Sequence, residues 1–217
     1  MTNRALFTAS FSSGKDSTLA VWKALEAGLS PLRLLLIHNI DHRHAWFHDL
    51  SPAVTERLSE AIGIPIEIIE TTGAAYEKNL EAALTVCRSE GAEVCVFGDI
   101  DIEGHYAWGC DRCERAGLRP WYPLWHMSRR DAVLSFLDAG FTTVITAVDL
   151  TKMDTDYLGQ PLTRNLMARM EAEGIDVCGE NGEYHSLVVD GPLFRHPLAY
   201  RFGEPVMEFG FVKLPVL

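Results

Sequence analysis

Positive charge is what this chain has least of: 19 Lys and Arg stand against 30 Asp and Glu, a formal net charge of −11. A surface that tracks nucleic-acid phosphates needs the opposite balance, which argues against a broad nucleic-acid interface. Long apolar runs are missing too, and no stretch has the length that spanning a membrane requires. Met1-Thr-Asn-Arg4 does not lead into a signal peptide, and a cytoplasmic location is expected. The cysteines number five, odd and scattered, which argues against a disulfide framework and for a reducing setting. Repeats, low-complexity segments and flexible linkers are also lacking. What remains is 217 residues, 47% of them hydrophobic, enough for one large domain or one domain with a small appendage.

Apolar runs alternate with amphipathic stretches. The pattern predicts strands at 4–11, 32–39, 65–70 and 93–98 and helices at 17–28, 51–62 and 74–90. Gly28, Gly63 and Gly91 each follow a helical pattern, as C-terminal caps do. Such alternation implies an α/β fold with a mainly parallel sheet and ligands at the carboxyl ends of its strands. After residue 99 the rhythm changes: an amphipathic stretch at 104–117, helices near 128–139 and 161–173, and strands at 141–148 and 184–190. Residues 1–117 are therefore expected to form one domain and 118–217 a smaller C-terminal α/β lobe.

The densest local signal is Ser12-Ser13-Gly14-Lys15-Asp16-Ser17, between the first strand and the first helix. Loop amides and free helix N–H groups converge there, and the helix dipole adds positive potential. Small residues admit a phosphate, Lys15 supplies a charge, and the hydroxyls of Ser12, Ser13 and Ser17 can donate. On so acidic a chain, an ATP site must be a local positive island, which Lys15 and the helix end provide. Asp16 fits the loop as a ligand for Mg²⁺. A Walker A loop is ruled out, because Ala9 stands where that pattern needs Gly and Asp16 where it needs Ser or Thr. The bland alternative is a Ser-rich N-cap.

The loop resembles the Ser-Gly-Gly-x-Asp-Ser pyrophosphate loop (PP-loop) of the ATP pyrophosphatases, which split ATP into AMP and pyrophosphate. Ser13 stands where that pattern has Gly, and it is expected to keep φ negative or accept mild strain. A second segment, Cys178-Gly-Glu-Asn-Gly-Glu-Tyr-His-Ser-Leu-Val-Val-Asp-Gly-Pro-Leu-Phe194, gathers Glu180, Asn181, Glu183 and His185 ahead of a strand. By composition it reads equally as a cation or substrate site, or as a solvated turn before a hairpin. It resembles the Cys-Gly-Glu-Gly-Gly-Glu-Tyr-Glu signature of the diphthine–ammonia ligase family, a branch of the ATP pyrophosphatases. Tyr76-Glu77, Phe97-Gly-Asp-Ile100, Gly117-Leu118, Pro123-Leu-Trp125 and Tyr157-Leu-Gly159 match the family in the same order.

The resemblance implies a nucleotide alpha-hydrolase fold of PP-loop, Rossmann-like type, with residues 1–117 binding ATP and 118–217 holding the acceptor. It implies ATP-dependent amidation: an acceptor carboxylate, on a protein in the family's diphthine case, attacks the α-phosphate, and ammonia then displaces AMP. Lys15, Asp16 and Ser17 are the expected catalytic group, with Asp16 on Mg²⁺. Ser12, Ser13, Gly14, His38, Gly98 and Asp99 are expected on ATP. Tyr76, Glu77, Glu180, Asn181, Glu183 and His185 are expected on the acceptor. Asn181 stands where the diphthamide enzymes carry Gly and His185 where they carry an acid, departures similar to a bacterial-looking branch. The chemistry therefore carries over better than the acceptor's identity.

Two other readings stay open: a nucleotide-binding sensor or hydrolase without ligase activity, and adenylation for thiolation using Cys110, Cys113 or Cys178. Free ammonia is the expected nitrogen source, and a homodimer stays open. His42, His44 and His48 read as a substrate or nucleotide loop ahead of a metal site. Cys110 and Cys113 read as a shared helix face ahead of a metal or redox pair. Trp121, Tyr122 and Trp125 read as the plug of a domain seam.

Overall fold

A computed structural model describes residues 4–40 and 50–217, and His42, His44 and His48 lie outside that range. The chain divides into two compact units. The first is built on β1 (Leu6–Ser10), β2 (Ser30–Asn39), β3 (Ile66–Thr71), β4 (Ala92–Val96) and β5 (Arg119–Trp121). All pair in parallel, in the order β3-β2-β1-β4-β5. Strands covered on both faces read as near-continuous apolar runs, as Leu34-Leu-Leu36 does in the buried middle of β2. The connecting helices are α1 (Lys15–Glu26), α2 (Pro52–Ile62), α3 (Tyr76–Ser89) and α4 (Glu103–Ala116). Of these, α2 is counted with the second unit, as are Ser13–Lys15.

This is the expected α/β architecture, and its strand order locates a ligand crevice. From β1 the chain runs outward to β2 and β3 on one side, then returns to place β4 and β5 on the other. In such sheets ligands bind outside the carboxyl ends of the strands where the order reverses. The segments leaving those ends begin at Phe11 after β1 and at Phe97 after β4. They carry Ser12, Asp16 and Ser17 on one side and Gly98 and Asp99 on the other.

Beyond residue 117 the structure departs from the sequence pattern. Arg119–Trp121 forms a fifth strand of the first sheet, so this unit extends to Met127 rather than closing at 117. Pro120 hides the strand from a propensity reading, since proline is tolerated in sheets at edges, and β5 is an edge. Two of the three aromatics expected to plug a seam belong to the first unit's own core. Tyr122 is buried in the first unit's core with Phe97, Cys95, Cys113 and Leu118, and Trp125 packs against that core. The rings of Phe97 and Tyr122 stack at 4.8 Å, and those of Tyr106 and Trp125 at 4.5 Å. On α4, Cys113 is buried and Cys110 half-buried. Among the described residues neither joins a group of three potential metal ligands.

The second unit holds a four-stranded antiparallel sheet, β6 (Thr142–Asp149), β7 (Tyr184–Asp190), β8 (Val206–Glu208) and β9 (Phe211–Lys213), in the order β7-β6-β9-β8. Its helices α5 (Arg129–Asp138) and α6 (Arg164–Ala172) each start on a side-chain cap: Ser128 accepts the Asp131 N–H and Thr163 the Leu166 N–H. No helix among the described residues is long and apolar enough to cross a membrane.

The tightest fit in the first unit generates a stability prediction. A Cβ on Gly109, in α4, would lie 2.0 Å from the Tyr122 hydroxyl and 3.3 Å from the Phe97 ring. Overpacking a closed core costs about 1–3 kcal/mol. Gly109→Ala is expected to lower the unfolding free energy by that amount, read by urea titration, and an unchanged value would show that Tyr122 can yield.

Candidate active site

The loop after β1 is closed by its own serines. The Ser12 N–H donates to Ser17 Oγ at 3.2 Å, and the two hydroxyls lie 3.0 Å apart, which ties the loop to the first turn of α1. Ser13 does not keep the expected negative φ. It sits at +63°, the left-handed region where a Cβ costs about 1–2 kcal/mol and glycine is at ease. The surrounding structure holds it there: Ser13 is 3% exposed, and its carbonyl accepts the Val188 N–H at 2.9 Å.

Gly98 supports the same turn from β4. A Cβ there would lie 2.7 Å from the Ser17 nitrogen and 2.9 Å from the Asp16 carbonyl carbon. Only a residue without a side chain lets the end of β4 pass this close to the start of α1. Asp99 follows, half-buried, with Oδ1 3.1 Å from His105 Nδ1. Burial raises its carboxyl above the ordinary range, His105 opposes the shift, and Asp16 adds to it. The charge of Asp16 thus reaches Asp99, and Asp16 is a hard oxygen donor of the kind that suits Mg²⁺. His38, at the end of β2, is half-buried and pairs in register with Glu70.

Lys15 is the first residue of α1 and only 5% exposed. Its ammonium donates to the Cys178 carbonyl and lies 5.5 Å from the centroid of the Tyr184 ring. Lys15 and the second motif therefore meet inside the second unit.

Within that motif the two glutamates differ. Glu183 is 6% exposed, and its carboxylate turns inward onto Asn181, accepting the backbone N–H on Oε2 and the side-chain amide on Oε1, each at 3.1 Å. Its carbonyl accepts the Asp149 N–H at 2.9 Å. Lys152 joins the turn to β6 by donating to the Asn181 carbonyl at 2.7 Å and pairing with Asp149 at 3.0 Å. Glu183, expected to face an acceptor, is a brace for the turn. Glu180 is half-buried, and His185 lies half-buried on β7 with its ring 6.1 Å from that of Phe211.

Tyr76 and Glu77 open α3. Tyr76 stacks on Trp108 at 5.3 Å, and burial, followed by the charge of Asp99, pushes its hydroxyl up to about 12. Glu77 accepts from Trp108 Nε1 at 3.1 Å and from Arg112 at 3.0 Å, linking α3 to α4. Tyr184, Lys152, Asp149 and His105 carry parts of these arrangements that sequence reasoning missed. Tyr184 had a signal in its place within the second motif, whereas Lys152 and Asp149 had none.

Residues 6–120 match the family described as diphthamide synthase N-terminal domain, and residues 128–212 match the diphthamide synthase C-terminal domain. The chain belongs to the diphthamide synthase family. A zebrafish (Danio rerio) relative named diphthine–ammonia ligase is 23% identical over 94% of this chain and 90% of its own. Cattle (Bos taurus) and mouse (Mus musculus) proteins of that name are each 30% identical over 48% of this chain. The match spans only 40% of the length of those two mammalian relatives. Among solved structures, the chain is similar to a predicted subunit of tRNA methyltransferase from Methanocaldococcus jannaschii, at 15% identity and a TM-score of 0.49, covering 89% of this chain and 99% of that one.

Two stability predictions follow from the strained serine and the inward glutamate. Ser13→Gly relieves the left-handed strain and is expected to raise unfolding free energy by about 1 kcal/mol, read by urea titration. A loss would mean that the Ser13 side chain outweighs its backbone strain. Glu183→Ala removes the acceptor of both Asn181 bonds in a turn where Asn181 itself is exposed to water, and is expected to cost about 0.5–1.5 kcal/mol, the net scale of a typical hydrogen bond. No loss in the same titration would show that the turn stands without its brace.

Proposed function

We propose that the chain is an ATP-dependent ligase, which adenylates an acceptor carboxylate and amidates it with free ammonia, releasing AMP and pyrophosphate. Family membership and the names of its relatives support this reading, and the contact from Lys15 to the Cys178 carbonyl carries it. A phosphate-loop cation anchored in the second motif is what a two-substrate transfer needs, because it ties the grip on the leaving group to the segment that bears Glu180.

In this reading the loop from Ser12 to Ser17 grips the phosphates that leave as pyrophosphate. Loop amides, the α1 dipole and Lys15 stabilise charge developing on the departing oxygens. Main-chain groups near His38 and Gly98 hold the adenosine. Asp16 would hold Mg²⁺, which when bound supplies charge neutralisation on the phosphates. Glu180, with His185 on β7, faces the acceptor, and Asn181 and Glu183 keep that segment in shape. An acceptor oxygen attacks the α-phosphorus, and ammonia then takes the acyl group from AMP. Positioning and charge stabilisation account for the catalysis, with no covalent nucleophile on the protein. The protein works in the cytoplasm, and its acceptor is a carboxylate, which in a protein acceptor is a modified side chain.

Thiolation fares worse. It needs an accessible thiolate, whereas Cys113 and Cys178 are buried and burial pushes the Cys110 thiol up.

Product analysis tests the reading. ATP incubated with the protein is expected to yield AMP and pyrophosphate, while ADP and orthophosphate would overturn it. Lys15→Ala is expected to lower turnover by about 10²–10³-fold, the scale for removing one preorganised stabilising donor.

A further inference from the structure

We propose that the Tyr184 ring and the Cys178 carbonyl form a fixed seat for the Lys15 ammonium, which makes Tyr184 a positioning residue for the phosphate loop. The proposal deepens the ligase reading and rests on it only where it concerns phosphate. A lysine has a flexible four-carbon stem, so its charge goes where the surroundings hold it. Lys15 is 5% exposed, and burial of an ammonium is costly unless its charge is met. Here a backbone carbonyl accepts one N–H, and the negative face of an aromatic ring stands 5.5 Å away, within cation–π range. Three N–H donors let one ammonium serve that carbonyl and an oxyanion together.

The seat is itself rigid. The Tyr184 hydroxyl donates to the Val177 carbonyl at 2.7 Å, and the residue pairs with Val148 of β6. Gly179 lies against the ring so closely that a Cβ would come within 3.0 Å of it. The ring, the Val177–Gly179 turn and β6 therefore fix one another. Four residues further along β7, the Val188 N–H holds the Ser13 carbonyl. Tyr184 and Val188 thus hold Ser13–Lys15 at two points of β7, one through the ring beside the lysine and one through backbone. Tyr184 lies next to Glu183 in a segment expected to serve the acceptor, yet its ring acts on the phosphate side.

The test separates the ring from the hydroxyl in the full-length chain. Binding of inorganic pyrophosphate and of a non-hydrolysable ATP analogue is measured by calorimetry beside the thermal midpoint. Tyr184→Phe keeps the face and loses the bond to Val177, so its midpoint falls while affinity stays within about twofold of wild type. Tyr184→Leu keeps an apolar filler but removes the face, and its affinity is expected to drop by roughly fivefold or more. Equal affinities for the Phe and Leu variants would overturn the seat.

Because the Leu variant can fail to fold, hydrogen exchange gives a second reading that needs no ligand. Lys15→Met deprives the Cys178 carbonyl of its donor, and amides across 177–184 are expected to exchange faster than in wild type. Unchanged exchange in that segment overturns the proposal. If wild-type protein binds neither probe, the ligase reading fails, while the exchange result still judges the seat.

Discussion

The close passage of the segment after β4 beneath the first turn of α1 is the constraint on which the geometry at the first sheet's carboxyl edge depends. A parallel sheet fixes where its strands end, and a helix dipole acts over about one turn, so an anion site needs the helix start held against the sheet's carboxyl edge. Gly98 permits that contact by having no side chain, at 2.7 Å from a would-be Cβ to the Ser17 nitrogen. The bond between Ser12 and Ser17 then closes the loop over the turn. Asp99, the next residue along, is brought within electrostatic reach of Asp16 by the same passage.

The second unit solves a different problem, which is to keep an irregular, polar, glycine-bearing turn in one shape. Its means are hydrogen bonds in series: Asp176 to the Cys178 N–H, Glu183 to Asn181, Lys152 to the Asn181 carbonyl, and Asp149 to both Lys152 and Thr151. Asn181, which replaces a glycine of the family pattern, supplies a side-chain donor to this series and stiffens the turn. The departure from pattern thus has a local physical use. Its neighbour Glu180 is carried on a frame whose backbone polar groups are largely spoken for.

Much of this was legible in sequence, and for definable reasons. Buried parallel strands announce themselves as apolar runs, and Gly28, Gly63 and Gly91 end their helices in left-handed backbone, so the alternation through β4 could be read directly. The serine loop could be read because its residue types and its place between a strand and a helix are local features of the sequence. What escaped depends on distant partners. Lys15 meets a carbonyl 163 residues away, and nothing local distinguishes a lysine aimed at phosphate from one seated on backbone. Glu183 looked like a ligand because composition does not tell an inward carboxylate from an outward one. Ser13 looked tolerable at negative φ because the demand for +63° comes from the bond made by Val188. Strand β5 was lost to the proline at its centre.

That proline has a consequence for how the molecule behaves among its own copies. The Phe97 N–H donates to the Trp121 carbonyl at 3.0 Å, so Trp121 directs its backbone inward to the sheet, and Pro120, one residue before, directs its own outward. The β5 margin of the sheet, one of its two edges, is therefore three residues long and lacks an N–H at its midpoint. A strand from another chain arriving there finds too short a ladder with its central rung missing. An unfinished sheet edge is a standing invitation to fibrous aggregation, and on the β5 side it is withdrawn by one imino acid at no expense to the pairing inside.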